Sequence, residues 1–519
     1  MAITIKSIGL AMIGGALLLA QDSSLSAGRV REHTRFLSSD LLEGRGVGQR
    51  GGDLATEYIA TQFALAGAKP AGDGGTFFQK VPLVGLDPQP ASQFSATANG
   101  KNVDFRWADD FVGANLTQQP DERFEGGVVF VGHGITAPEY HWDDYRGVDV
   151  TGKIVLMFTN EPPSDDAKFF DGRALTYYGR WTYKYEEGVR HGARAVMLIH
   201  TTPTAGYNWD VVRSSWGRET PYVKLEPGGK ALSLAGWMTK DAAQHLVRLA
   251  GKNVDDLLAA AEKPGFHAVD LGIQMRGTVV QKVREISSRN VAAMVPGSDP
   301  KLNGEVVVYS AHWDHLGIGT PVNGDAIYNG AVDNATGCAI LIELARAWAA
   351  LPHKPKRSAL FLSVTAEEGG LKGSEYYAAH PLIAKEKTAI DLNYDAVYPF
   401  GRAKDVVLTG AERTAYWPLA QQIAARLNLA IAPDAQPEQG HYFRSDHFSF
   451  AHVGIPAFSI GHATEFAGKP AGYGQQMWQE YNSKHYHQPS DEFQEDWDFT
   501  ALQQAAQFGF LLGQEIANR

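Results

Sequence analysis

The stretch 305–315 reads EVVVYSAHWDH. Its β-branched run predicts a buried strand that ends in His312, Asp314 and His315. The same texture recurs downstream. ALFLSVTA (359–366) is followed by Glu367 and Glu368, and TAIDLNY (388–394) by Asp395. NVAAMV (290–295) and IPAFSI (455–460) complete the set, with helical patterns between and a closing helix from about Thr500. Short apolar runs alternating with helices predict βαβ units, hence an α/β fold whose mostly parallel sheet is flanked by helices. The helix after Asp333 repeats apolar residues at Cys338, Leu341, Ala345 and Trp348, which places Cys338 in the core.

Upstream the texture differs. Between 106 and 285, strands such as Gly127–Gly132 and Lys153–Phe158 flank a polar, aromatic stretch. A helix near Tyr183–His191 leads into Ala195–His200, and Gly/Pro breaks lead on to Val269–Val280. This predicts a small β-rich domain at 106–285, inserted into a discontinuous one formed by 28–105 and 286–519. Residues 31–70 predict two helices around GRGVGQRGG (44–52). The second runs from Asp53 to Ala66, with Leu54, Tyr58, Phe63 and Leu65 among its apolar positions. Gly46, Gly48 and Gly51 match the dinucleotide-loop spacing, but a helical pattern precedes them where that loop needs a strand, so no nucleotide site is expected.

At the amino end, Lys6 precedes an apolar run from Ile8 to Ala20, and small or polar residues follow to Ala27. That layout predicts a signal peptide over 1–27, cleaved after Ala20 or Ala27. The alternative is a retained N-terminal helix. The run is shorter than the roughly 20 residues a membrane span needs. The expected product is exported, periplasmic or secreted, with no stable membrane insertion after cleavage.

Of 519 residues, 44% are hydrophobic and 20% charged, which suits packed domains and excludes a mainly disordered chain. The formal charge of −11, without a long basic run, argues against nucleic-acid binding. The single cysteine excludes a disulfide framework and Cys-based metal sites. A metal would need imidazole and carboxylate ligands.

Such ligands stand where the fold would bring them together, since open α/β sheets bind ligands at the carboxyl ends of their strands. His312, Asp314, Glu367, Glu368 and Asp395 follow three strands, Asp333 precedes a helix, and KHYHQPSDE (484–492) supplies His485 and His487. Singly, each has an ordinary structural reading, such as a helix cap or a solvated turn. Jointly, oxygen and imidazole donors suit zinc, with cobalt or manganese as substitutes. The Asp314 carboxylate could accept from the His312 ring N–H that faces away from the metal. Asp333 could bridge two cations, and Glu367 and Glu368 could divide ligation from proton transfer.

The set AHWDHLG, GAVDNATGCA, TAEEGGLKGSEY, NYDAV, RSDHFSFAHVGIPA and YHQPSDEF resembles the di-zinc exopeptidases. These include bacterial secreted aminopeptidases and the glutamate-carboxypeptidase and transferrin-receptor relatives. DDYRGVDVTGKIV (143–155) is similar to the protease-associated domain inserted in many of them. The resemblance implies two Zn2+, with His312 and Asp395 on one, Glu368 and His487 on the other, and Asp333 bridging. It implies Glu367 as general base, Asp314 as the orienter of His312, and a peptide substrate cut from its amino end. His485 is the alternative to His487. Many relatives carry a tyrosine two residues before the serine of S-D-H; here Phe443 stands there, so Tyr442 is the candidate oxyanion donor. Arg444 is the candidate clamp for a terminal carboxylate, should the enzyme be a carboxypeptidase. A glutaminyl cyclase and a non-catalytic receptor-like protein are the remaining alternatives. No G-x-S-x-G or H-E-x-x-H motif is present.

Overall fold

The computed structural model describes residues 25–519, so most of the expected signal segment lies outside the described residues. The chain divides into two compact units. The first takes the residues up to Pro82 together with Ser287–Asp434 and Arg444–Arg519; the second takes Leu83–Ile286 and Ala435–Phe443.

The first unit begins with helix α1 (Ala27–Leu37) and helix α2 (Arg50–Leu65). Ser26 caps α1 by accepting from the Arg29 N–H, while its own N–H donates to Glu343 at 2.7 Å. On α2 the buried apolar side chains are Ala55, Ile59, Ala60 and Phe63. Leu54 and Leu65, expected among the apolar positions, are 39% and 76% exposed. Phe63 is buried as expected and Tyr58 packs partly buried against the core, while the rest of the stripe is built from Ile59 and from alanines that carry little hydrophobic signal.

Five strands of the sheet position the site: β1 (Val269–Val295), β2 (Val306–His312), β3 (Ser358–Val364), β4 (Thr388–Asn393) and β5 (Ala457–Ile460). Its order is β1–β3–β2–β4–β5. β3, β2, β4 and β5 are parallel, and the last part of β1 closes one side antiparallel. Every residue of β2 and β3 is buried, as expected for parallel strands covered on both faces. Helix α3 (Thr336–Ala349) is buried along nearly its whole length. Cys338 lies in the core as expected, its thiol donating to the His312 carbonyl at 3.1 Å. Helix α4 (Tyr473–Lys484) precedes the last loop, and α5 (Thr500–Ala517) closes the chain from the expected residue.

The second unit is mixed. Ile154–Phe158, Ala195–His200 and Leu234–Thr239 form a parallel core, with Val128–Phe130 alongside Ile154–Leu156. Antiparallel strands extend it, among them Gln93–Ala98 against both Lys101–Phe105 and Gln274–Thr278. The unit is entered at Leu83, upstream of the change of texture near residue 106. Lys184 is fully buried here, its ammonium donating to the Asn160 carbonyl at 2.8 Å.

Candidate metal centre

Parallel register sets the site. His312, the last residue of β2, is level with Val364 of β3, and Ser310 is level with Asn393 of β4. The residues that leave the three strands therefore emerge at one edge. His312 Nε2 lies 3.3 Å from Asp395 Oδ1 and 3.2 Å from Asp333 Oδ1. Ala366, Ala396 and His487, each a candidate site residue or the neighbour of one, have φ of 54°, 51° and 56°. Left-handed backbone is uncommon outside glycine and clusters at functional sites.

Asp333 arrives on a loop held from below. Asp491 Oδ1 accepts from the Val332 N–H at 3.0 Å, and its Oδ2 accepts from the Asp333 N–H at 3.1 Å and the Tyr481 hydroxyl at 3.0 Å. The loop thus presents both oxygens of Asp333 upward. Oδ1 faces His312, and Oδ2 lies 3.4 Å from His487 Nε2.

A second group shares Asp333. His487 Nε2 is 3.0 Å from Glu368 Oε2, and His315 Nδ1 is 2.6 Å from Glu368 Oε1. His312, Asp333 and Asp395 each offer a ligand atom within 4.8 Å of the others, as do His315, Asp333 and Glu368. His315 is the residue that sequence reading quoted but left without a role; its signal was its place at the end of the β2 motif. His485 instead points at Ser490, with Nδ1 3.0 Å from the hydroxyl. The His487→Ala variant is therefore expected to drop toward one metal per chain. Its activity should fall at least about tenfold, since even partners outside the ligand shell are worth about 10–100-fold. His485→Ala should keep most of both, and elemental analysis beside an activity assay checks the pair.

The electrostatics suit cations. Among the described residues, His487 Nε2, both ring nitrogens of His315 and Glu368 Oε1 are buried, and the imidazole–carboxylate contacts at 2.6 and 3.0 Å lack hydrogen-bond geometry. Such orphaned donor atoms around a common point fit an N/O metal site. Burial lowers the pKa of His487, yet Glu368 and Asp333 outweigh it and raise it to about 10. A cation would displace that proton. Burial also pushes the Glu367 carboxyl well above its usual range; His312 opposes this, and Asp395, Glu368 and Asp446 reinforce it. Glu367 is thus set apart from Glu368, whose carboxyl its histidine neighbours hold low against burial.

Asp314 differs from expectation. Its carboxylate is 3.9 Å from His312 Nδ1, which instead faces the Asp314 main-chain carbonyl at 3.1 Å. The carboxylate accepts the Glu367 N–H at 3.2 Å. Asp314 therefore reaches His312 through its backbone and Glu367 through its side chain. Tyr442 falls in the second unit, on the short turn His441–Phe443, beside the Phe443 ring at 5.1 Å. Arg444 is exposed where the chain re-enters the first unit.

Residues 290–509 match the family model described as Peptidase family M28. The chain is similar to aminopeptidase NAALADL1 of Mus musculus, 24% identical over 302 residues, which cover 47% of this chain and 39% of that protein. It is also similar to a probable leucine aminopeptidase 2 of Aspergillus oryzae, 32% identical over 251 residues, covering 48% of this chain and 38% of that protein. A probable zinc metalloprotease of Pyrenophora tritici-repentis is 35% identical over 120 residues, 23% of this chain and 24% of that protein. The chain thus spans well under half the length of these relatives. The solved aminopeptidase of Aneurinibacillus sp. strain AM-1 shares the fold across 95% of this chain and 93% of its own, with a TM-score of 0.51 and 22% identity.

Proposed function

We propose that this chain, with its M28-type segment at 290–509, is a co-catalytic di-zinc aminopeptidase that releases single residues from the amino end of peptides. The observation that carries the reading is the shared Asp333, whose two oxygens face two separate His/carboxylate groups. His312 and Asp395 would hold one zinc, Glu368 and His487 the other, and Asp333 both, with His315 against Glu368. Bound zinc supplies Lewis acidity at the scissile carbonyl and acidifies water.

The remaining chemistry falls to the side chains. Glu367 accepts a proton from the attacking water as its oxygen bonds the carbonyl carbon. It then returns the proton to the departing nitrogen as the C–N bond breaks. A raised pKa suits that duty, because a base that also serves as acid works best near the operating pH. Asp314, through the Glu367 N–H, steadies the residue that carries the proton. The surplus of carboxylates suits a free ammonium at the substrate terminus.

An N-acetylated peptide is therefore expected to be cut at least about 30-fold more slowly than its free-amine parent, the loss of a buried charge-assisted contact being worth about 2–5 kcal/mol and each ~1.4 kcal/mol a factor of ten in rate. Equal rates on aminoacyl and N-acetyl nitroanilides would overturn the aminopeptidase reading, and a preference for blocked peptides with free carboxyl ends would favour Arg444 and the carboxypeptidase reading. We place the protein outside the cytoplasm. Cleavage after Ala20 would preserve the Ser26 cap of α1, whereas cleavage after Ala27 would remove it. We read the inserted segment as a protease-associated domain.

A further inference from the structure

The GRGVGQRGG segment, left without a role once a nucleotide site is rejected, lies against both ligand loops. Gly44 has φ +67°, and a Cβ there would sit 2.4 Å from the Tyr328 carbonyl oxygen and 2.7 Å from that of Gly317. A Cβ on Gly52 would sit 2.6 Å from the Gly46 carbonyl oxygen and 2.8 Å from the Trp313 ring. The glycines let this backbone wedge between the loop that follows β2 and the segment that leads to Asp333.

At the tip of the wedge stands Arg45, 1% exposed. Its Nε donates to the Trp313 carbonyl at 2.8 Å. Its Nη1 donates to the carbonyls of Leu37 and Asn329, both at 2.6 Å, and its Nη2 to that of Gly330 at 2.8 Å. Its own carbonyl accepts the His315 N–H at 3.4 Å. Trp313 directly follows His312, and Gly330 stands three residues before Asp333. The Asn329 side chain adds bonds to the Ser38 carbonyl at 2.9 Å and to Asp40 Oδ1 at 2.8 Å.

A fully buried guanidinium without an ion-pair partner among the described residues is costly. A fold that only needed packing here would use an apolar residue. What the guanidinium supplies is a rigid fork of donors with fixed directions, which a lysine's single ammonium lacks. Burial disfavours the charge, and the nearby carboxylates of Asp491, Asp333 and Asp314 offset part of that cost.

We infer that Arg45 is a positioning residue: by clamping the carbonyls of Trp313, Asn329 and Gly330 it sets the spacing between the His312 loop and the Asp333 loop, and so the fit of the shared ligand to both cations. This rests on the di-metal reading for its functional consequence, but the clamp itself can be read without metal.

The test compares the full-length parent with Arg45→Lys and Arg45→Ala. In the metal-free proteins, amide hydrogen exchange should rise in 313–317 and 329–334 together, with the amides of β2 and α3 unchanged. With zinc, Arg45→Lys should bind about 10–100-fold more weakly, as expected for groups that orient ligands. Its kcat should fall by a similar factor, with KM changed less than threefold. Added guanidinium should restore part of the metal affinity to Arg45→Ala but none to Arg45→Lys. Should both variants fail to fold, denaturant-dependent exchange on the parent decides: a clamp requires the two loops to open as one unit.

Unchanged exchange in Arg45→Lys, faster exchange in only one loop, or separate opening of the loops in the parent would each overturn the clamp. Normal zinc affinity in a variant with loosened loops would overturn its effect on the site. If the parent itself holds no metal, it is the proposed function that fails, and the exchange data still judge the clamp.

Discussion

The Glu367→Gln enzyme is expected to hold two zinc ions and bind peptide as the parent does, yet lose about 10²–10⁴ in kcat, the usual worth of a positioned general base. The adjacent Glu368→Gln should instead lose metal, with activity partly restored by excess zinc. The two neighbours differ because successive residues leaving a strand point in different directions. Glu368 lies against His315 and His487 and belongs to a ligand group. Glu367 belongs to neither group, and its main chain is tied to Asp314. Burial and the carboxylates around it raise its proton affinity, the condition for a group that must take a proton and return it. A glutamine keeps the shape and removes only that capacity. Metal content and kcat on both variants, measured side by side, separate the roles. Loss of metal from Glu367→Gln would invert the assignment, and full activity in both would reduce this strand end to a turn.

The Asp333→Asn variant should show the largest loss of metal, falling from two ions per chain to one or none. Asp333 is the residue whose two oxygens face different groups, so one substitution reaches both cations. An amide offers one neutral oxygen and turns an N–H toward the other site. If the cations supply several kcal/mol to the transition state, and each ~1.4 kcal/mol is tenfold in rate, activity should fall by about 10³ or more. Asp491 holds the loop through the backbone and not through the lost charge, so the circular dichroism of the variant should match the parent. The same competition sets a pH dependence. In the folded chain His487 has its pKa raised to about 10, so zinc must displace a proton at neutral pH. Affinity should weaken as pH falls, by about tenfold per unit for each proton displaced. Zinc titrations across pH, with and without a chelator, check both points. A metal content in Asp333→Asn equal to that of the parent would show that the two groups do not share a ligand.

The sequence by itself determined the parallel strands, because buried strands and their helices carry local apolar periods that survive in any context. It also determined which chemistry could stand at their ends: a parallel sheet brings the residues after β2, β3 and β4 to one edge whatever the loops do. Cys338 was assigned to the core for the same reason, its helical spacing. The tertiary structure decided the rest. His315 and Glu368 are neighbours only because two strands align across the sheet. Asp491 meets Val332 and Asp333 across a long stretch of chain, and the Asp314 carboxylate turns to the Glu367 N–H instead of the His312 ring. Arg45 was hidden most completely. Its partners are main-chain carbonyls, which every residue possesses, so no pattern of side-chain types could announce where its donors point.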